Sequence, residues 1–200
     1  MKLEGCNIGF QYERNKSILK DVNISIESGE VVGLLGPSGY GKSTLGKILA
    51  GHIKPHQGKI LIDDKVIKKT AFHPVQMIYQ HPEQAINPKW KMKKILEESG
   101  EIDEDLREQL GINPDFYSRW PNELSGGQLQ RFCVMRVLKP QTKFIIADEI
   151  STMLDTITQA QIWNVILEYA KKYNIGILAI THNPHLAKII CTRVVKVEEL

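Results

Sequence analysis

The sequence of 200 residues predicts an α/β fold in which helices cover both faces of a parallel β-sheet. Three short, nearly continuous apolar runs, at residues 31–35, 143–147 and 176–181, have the composition of strands buried on both faces. The first two are each followed by a segment with the apolar spacing of a helix. A glycine-rich loop at residues 36–44 joins the first run to its helix. The length suits one domain, and 42% hydrophobic residues suffice for a full core.

Before the glycine-rich loop, the chain is predicted to form two half-buried strands. Apolar and polar residues alternate over 8–12 and again over 22–26, which is the period of a strand with one face in the core. Residues 14–17 and 28–30 have the composition of turns. We therefore expect a small antiparallel β region at the start of the chain.

After the loop, a helix is predicted to stop at Gly51, where glycine favours a C-terminal cap. Residues 58–67 are predicted to form a hairpin that turns at Asp63-Asp64. Residues 75–79 form one more short apolar strand, which ends at Gln80.

From about residue 83 the character of the sequence changes. Prolines punctuate a charged and largely helical stretch that reaches about residue 138. We interpret residues 83–138 as a helical insertion into a core formed by residues 1–82 and 139–200.

The last part of the chain returns to alternating strands and helices. The strand at 143–147 ends in Asp148-Glu149, and either Asp155 or Thr156 can cap the helix that follows. The strand at 176–181 ends at His182, and residues 194–197 form a weaker strand.

Composition argues against several classes of protein. A net charge of +3 gives no support for binding to nucleic acid or to an anionic membrane surface. The three cysteines are far apart, which favours free thiols in a reducing compartment. The N-terminus lacks the apolar core of a signal peptide, and no apolar run approaches the ~20 residues that span a bilayer. We therefore expect a cytosolic protein whose membrane role, if it has one, depends on a partner.

The glycine-rich loop between strand and helix predicts a phosphate-binding P-loop. It reads Gly36, Pro37, Ser38, Gly39, Tyr40, Gly41, Lys42, Ser43 and Thr44. Glycines let backbone N–H groups converge on phosphate oxygens, and the N-terminus of the helix adds a favourable dipole. Lys42 is expected to reach the β- and γ-phosphates, and the Ser43 hydroxyl to ligate Mg²⁺. The alternative is a glycine-rich turn without a ligand; the strand–loop–helix context favours a site for a nucleoside triphosphate.

Two further motifs fit phosphate chemistry. Asp148, at a strand end near the P-loop, is placed to hold Mg²⁺, and Glu149 beside it to orient or deprotonate an attacking water. Residues 124–128, Leu-Ser-Gly-Gly-Gln, precede an amphipathic helix and offer a second set of backbone amides to an anion.

Residues 124–128 are identical to the signature motif of the ATP-binding cassette ATPases, and the resemblance extends over nearly the whole chain. It implies a RecA-like P-loop NTPase core with an antiparallel β subdomain and a helical insertion. It also implies a role for each matching residue. Tyr12 would stack on adenine, Gln80 would contact Mg²⁺ and the membrane subunit, Asp148 and Glu149 would be the Walker B aspartate and the catalytic glutamate, Asp155 would be the D-loop aspartate, and His182 would contact the γ-phosphate.

By this resemblance, ATP and Mg²⁺ are bound between two such subunits, in a homodimer or a heterodimer. One subunit contributes the P-loop, Gln80, Asp148, Glu149 and His182, and the other contributes Ser125, Gly126, Gly127 and Gln128. The resemblance implies ATP hydrolysis that powers a membrane importer, and therefore permease subunits and, indirectly, an extracytoplasmic substrate-binding protein. The subunit is expected on the cytoplasmic face of the membrane.

Several segments look like one branch of the family. Gln80-His81-Pro82 followed by Ile86-Asn87-Pro88 is similar to importers of oligopeptides, dipeptides and nickel, and residues 128–131 and 159–162 point the same way. Peptides, nickel and metal–chelator complexes are all open as substrates. A non-transport cassette ATPase that acts on nucleic acid or ribosomes is the alternative, but the paired cassettes, long coiled coils or basic arms of such proteins are not visible.

Some features depart from the family pattern or lie outside it. Tyr40 is bulkier than usual in this loop, Ile150 replaces a frequent proline, and Thr152-Met153 replaces Ser-Ala. His52 and His56 are interpreted as loop histidines. Four lysines around Trp90, at positions 89, 91, 93 and 94, form either a solvated face or a contact with a membrane subunit or lipid head groups.

Overall fold

The fold was analysed in a computed structural model, which describes residues 1–13, 16–67, 72–150 and 154–200. The strands are β1 (Lys2–Glu13), β2 (Lys16–Glu27), β3 (Val31–Leu35), β4 (Gln57–Ile62), β5 (Lys65–Val66), β6 (Val75–Ile78), β7 (Phe144–Asp148), β8 (Gly176–Thr181) and β9 (Arg193–Lys196). The helices are α1 (Lys42–Leu49), α2 (Met92–Glu97), α3 (Glu104–Gln109), α4 (Gly126–Val137), α5 (Thr156–Tyr173) and α6 (Pro184–Ile190).

A five-stranded parallel sheet forms the centre of the fold, in the order β6-β7-β8-β3-β9. Its inner strands β7 and β8 are buried along their whole length, as their continuous apolar sequence predicts. The predicted α/β class with a parallel sheet is confirmed.

A second, antiparallel sheet has the order β2-β1-β4-β5. Asp63 and Asp64 have φ angles of 48° and 62°, the left-handed pair that a tight hairpin turn requires, so the hairpin prediction is confirmed. Of the turn predicted at residues 14–17, Arg14 and Asn15 lie outside the described residues.

The parallel sheet separates two hydrophobic cores. Phe144 and Ile146 of β7 face one core, which contains α1 and the antiparallel sheet. Ile145 and Ala147 face the other, which contains α5 and the apolar residues of α2, α3 and α4. Because side chains alternate along a strand, one continuous apolar run supplies both cores.

The segment from 83 to 138 contains less helix than the sequence predicts. Its helices α2 and α3 have six residues each, and short 3₁₀ turns begin at Pro82, Pro114 and Pro121. Proline is favoured at the first position of such a turn, since that residue needs no hydrogen-bond donor. Arg136 of α4 ties the segment together by donating hydrogen bonds to the Ala85 carbonyl and to Glu98.

Near the end of the chain, the structure decides between two predicted caps and adds one helix that was not predicted. Asp155, rather than Thr156, caps α5, since its carboxylate accepts hydrogen bonds from the amides of Ile157 and Thr158 at 3.1 and 3.0 Å. In the short helix α6, Asn183 is the N-cap and Pro184 occupies the first position.

Candidate functional site

The predicted site residues lie mainly at one edge of the parallel sheet. They are residues 36–44 after β3, Gln80 after β6, Asp148-Glu149 at the end of β7 and His182 after β8. Because these strands are parallel and in register, their carboxyl ends meet, which is where α/β proteins bind ligands.

The glycines shape the loop between β3 and α1. Gly39 and Gly41 have φ angles of 88° and 81°, a left-handed conformation that a residue with a Cβ adopts only under strain. A Cβ at Gly41 would lie 2.8 Å from Cγ2 of Ile18, whereas one at Gly39 would meet no atom within 4 Å. Gly41 thus lets the loop lie close against β2, while Gly39 sits in open space where backbone amides are accessible.

Lys42 is held within the loop rather than extended into solvent. Its side chain is buried, and its ammonium group donates hydrogen bonds to the carbonyls of Gly36 and Pro37 at 2.8 and 2.7 Å. An ammonium group has three hydrogen-bond donors, and these two carbonyls accept from two of them. The third donor can bond to a phosphate oxygen, so the position suits a cation that shares its charge with phosphate.

Ser43 and Asp148 form the oxygen pair expected of a Mg²⁺ site. The Ser43 hydroxyl donates a hydrogen bond to Oδ1 of Asp148 at 3.0 Å. Burial raises the pKa of Asp148, and the nearby Glu149 adds to the shift, while the Ser43 hydroxyl opposes it. A buried carboxylate beside a hydroxyl fits a hard cation, since Mg²⁺ prefers oxygen ligands and would offset the cost of burying the charge.

Glu149 is the point at which three of the four segments meet. The Gln80 amide donates a hydrogen bond to Oε2 of Glu149 at 3.3 Å, and Nδ1 of His182 lies 3.4 Å from the same oxygen. The backbone of Glu149 has a φ of 47°, and its amide bonds to the carbonyl of Ile180. Such a conformation costs free energy for a residue with a side chain, and it is typical of functional sites.

Tyr12 lies on the P-loop side of the antiparallel sheet. Its hydroxyl is 3.3 Å from Oγ1 of Thr44, and its ring makes an edge contact with Phe10 at 4.9 Å. With 60% of its surface exposed, the ring is open to a stacking partner. The link to Thr44 was not predicted, because no local pattern relates a strand residue to a helix residue 32 positions further along the chain.

The segment from Ser125 to Gln128 forms hydrogen bonds of its own. The amide of Gln128 donates to the Ser125 hydroxyl at 3.3 Å, and the Gln128 side chain accepts from the Ser125 amide at 2.9 Å. This reciprocal cap starts α4 and leaves Ser125 and Gly126 exposed. In the described chain, the side chains of Ser125 and Asp155 bond to their own helix starts and not to the group around Glu149.

The residues that depart from the family pattern lie in different surroundings. Tyr40 is 52% exposed beside the P-loop, and Ile150 is buried in the core. Thr152 and Met153 lie outside the described residues.

The histidines of the loop after α1 make separate contacts, in agreement with their interpretation as loop residues. His52 bonds to the Tyr79 hydroxyl at 2.6 Å, and the His56 ring packs on Phe10. Across residues 1–13, 16–67, 72–150 and 154–200, no three His, Cys, Asp or Glu residues are grouped to hold a metal ion. In the same ranges, no helix has both the length and the apolar character needed to cross a membrane.

The chain was compared with known proteins. The family model described as ABC transporter matches residues 19–152. The nickel import system ATP-binding protein NikE of Staphylococcus aureus is 32% identical over 210 residues, which cover 98% of this chain and 87% of that protein.

Solved structures of ATP-binding cassettes have the same fold. CbiO1 from Clostridium perfringens, part of the ABC transporter complex CbiONQ, superimposes with a TM-score of 0.77 at 26% identity, covering 97% of this chain and 83% of CbiO1. The dimeric cassette MJ0796, bound to ADP and phosphate, has a TM-score of 0.83 at 23% identity, covering 97% and 93%.

The buried charge of Asp148 predicts a pH-dependent effect of Asp148→Asn. Because folding raises the pKa of this carboxyl, its contribution to stability is complete below the unfolded-state pKa and is lost as pH rises through the folded-state pKa. The variant cannot ionise, so its free energy of unfolding in metal-free buffer should exceed that of the wild type at neutral pH. The difference should shrink toward acid pH.

Urea unfolding from acid to neutral pH measures this difference. The matched control is Asp105→Asn, which removes an exposed carboxylate and should give no comparable trend. A variant less stable than the wild type at neutral pH would contradict the argument.

Proposed function

Since the chain belongs to the ABC transporter family and is an ATP-binding subunit that hydrolyses ATP to drive import, we propose that the importer it powers carries nickel. The observation that carries this proposal is the 32% identity, over 98% of the chain, to a nickel import system ATP-binding protein. The same branch is supported by the segments similar to importers of peptides and nickel, at residues 80–82, 86–88, 128–131 and 159–162. Peptides are the alternative cargo, and uptake measurements separate the two.

We infer a role for each group of the P-loop site. Tyr12 stacks on the adenine ring, and the amides from Gly36 to Thr44 surround the phosphates. Lys42 is already positioned by the Gly36 and Pro37 carbonyls, so little side-chain entropy is lost when it shares its charge with the β- and γ-phosphates.

The oxygen ligands fit Mg²⁺. Ser43 and Asp148 would hold it, with Gln80 as a further ligand, and when bound it would neutralise phosphate charge. Among the described residues, one buried carboxylate, Asp148, lies here, and there is no group of three His, Cys, Asp or Glu residues. The remaining ligands would therefore be nucleotide oxygens and water.

Glu149 is the proposed catalytic residue. Its Oε2 lies between the Gln80 amide and His182, and the left-handed backbone directs the carboxylate away from the path of a regular strand. A carboxylate oriented in this way can polarise a water for attack on the γ-phosphorus, while His182 contacts the γ-phosphate. Positioning and electrostatic stabilisation then supply most of the rate.

We propose that residues 125–128 complete the site of a second subunit, in a homodimer or a heterodimer. The exposure of Ser125 and Gly126, and the local hydrogen bonds of Ser125 and Gln128, support this arrangement. Helix α4 then presents its N-terminus and the Ser125 hydroxyl to the γ-phosphate held by the partner. Asp155 would lie near the same interface.

Membership of the family supports a proposal for the wider assembly. We propose that the chain forms a single domain, with an insertion over 83–138, and binds permease subunits at the inner face of the membrane. An extracytoplasmic substrate-binding protein would deliver the cargo to that permease.

The substitution Glu149→Gln is expected to lower the ATP turnover rate by about 10²–10⁴-fold, because it removes the base but keeps the shape of the side chain. ATP affinity should be retained, and a nucleotide-bound dimer should accumulate. Phosphate release and size-exclusion chromatography measure these effects. Glu168→Gln, at an exposed position on α5, is the control; a Glu149→Gln enzyme with wild-type turnover would remove this residue from its role.

The shared site can be tested with two variants that are each inactive alone. A Cβ at Gly126 would meet no atom within 4 Å, so Gly126→Arg should block an approaching P-loop without disturbing its own fold. Lys42→Ala removes the phosphate-binding cation. A mixture of the two should regain ATPase activity, since one of the two sites in a mixed dimer escapes both changes.

If each chain held a complete site of its own, every site in the mixture would carry a defect. A mixture that stays inactive, although the two chains are shown to associate, would contradict the composite site.

Uptake measurements test the cargo. Cells whose only copy of this chain carries Glu149→Gln are expected to lose ATP-dependent uptake of radioactive nickel at low external concentration. Dipeptide uptake in the same cells is the control and should be unchanged. Loss of dipeptide uptake with normal nickel uptake would assign the chain to peptide import instead.

A further inference from the structure

A wide groove on the helical segment is lined by cations and aromatic rings that the ATPase site does not use. It has a volume of about 820 Å³, and its walls come from residues 89–97 and 114–120. We call it the basic groove and define it by Lys89, Trp90, Lys91, Lys93, Lys94 and Trp120. All four lysines are exposed.

Two of these lysines lie over indole rings. The ammonium group of Lys94 is 4.4 Å from the centre of the Trp90 ring, and that of Lys91 is 5.9 Å from the centre of the Trp120 ring. These cation–π contacts keep charge and aromatic surface together in the groove, and the Lys91–Trp120 contact links its two walls.

The local charge is positive although the net charge of the chain is small. Glu97 and Asp115 are the carboxylates among the residues lining the groove, and Glu97 makes an exposed ion pair with Lys93 at 3.8 Å. The groove is therefore lined by four lysines and two carboxylates, so its charge is positive. The net charge of +3, which gave no argument for an anionic partner, hides this uneven distribution.

The tryptophans of the groove differ from the third tryptophan of the chain. Trp163 is buried in the core, whereas Trp120 is 41% exposed. Indole rings with one apolar and one polar side are enriched where membranes meet water.

We propose that the basic groove binds the phosphate groups of anionic lipids at the membrane surface. The lining cations are lysines, which are depleted at protein–protein interfaces, where arginine is enriched. Flexible ammonium groups suit a fluid array of phosphates, since they need no fixed geometry. Clusters of four to eight basic residues near a membrane are typical of binding to anionic lipids.

This inference rests on the proposed function in one respect, since a transporter subunit works next to a membrane. Lipid contact through the groove needs neither nucleotide nor Glu149. The groove and the ATPase site can therefore fail independently.

The test measures binding of the intact, nucleotide-free subunit to vesicles. Sedimentation with phosphatidylglycerol–phosphatidylcholine vesicles should show binding that weakens with salt, and phosphatidylcholine alone should show much less. The double variant Lys89→Gln/Lys91→Gln should bind about 25-fold more weakly, because each lysine near an anionic surface contributes about fivefold. Both positions precede α2, so the helix should remain intact.

The matched control is Lys171→Gln/Lys172→Gln at the end of α5. It removes the same charge, and Lys172 also lies over an aromatic ring, that of Tyr173, at 5.2 Å. This variant should bind vesicles like the wild type. Equal weakening in both double variants would overturn the groove and show a general charge effect.

Two further readouts separate the sources of the anion. Brominated phosphatidylglycerol should quench the tryptophan fluorescence of the wild type, and inorganic phosphate at the same phosphate concentration should not displace the protein. Absence of quenching, or release by free phosphate, would overturn lipid binding. So would a Lys89→Gln/Lys91→Gln variant that loses affinity for detergent-solubilised permease while it binds vesicles normally.

Discussion

The parallel pairing of β7 with β8, and of β8 with β3, is the constraint on which the rest of the site depends. Leu35 lies opposite Thr181, and Asp148 lies opposite Ile180, so the loops that follow these strands emerge side by side. The four segments that carry the reactive groups, at residues 36–44, 80, 148–149 and 182, are far apart along the chain. A shift of one residue in this register would turn Asp148 toward the opposite face of the sheet and separate it from Ser43.

The same arrangement carries costs that a purely structural fold would avoid. Asp148 is a buried carboxylate whose pKa is raised by desolvation, and Glu149 has a left-handed backbone. Each of these two features lowers the stability of the folded chain. Each also fits the proposed reaction, in which Asp148 would bind a cation and Glu149 would polarise a water. The apolar layers on both sides of the sheet offset such costs, since β7 and β8 are buried along their length.

The helical segment has two roles at different places on its surface. Its buried face completes one core through residues such as Phe132 and Ile95, and Arg136 holds its turns in place. Its exposed parts carry the capped start of α4 and the basic groove. The net charge of the whole chain does not reveal the basic groove, because charges in solution act over short distances. At physiological ionic strength the Debye length is about 8 Å. The segment therefore combines a proposed contact to a second subunit with a proposed contact to lipid.

The sequence by itself determined the strands, the P-loop, the Asp63-Asp64 turn and the family, because each depends on residues close together along the chain. It did not determine the amount of helix in residues 83–138, since the prolines there begin short turns instead of merely interrupting helices. Only the tertiary structure decided that Gln80 and His182 share one oxygen of Glu149, that Tyr12 reaches Thr44, and that Trp120 joins the lysines at 89–94. These contacts join residues far apart in sequence, and only strand order and helix packing bring such residues together.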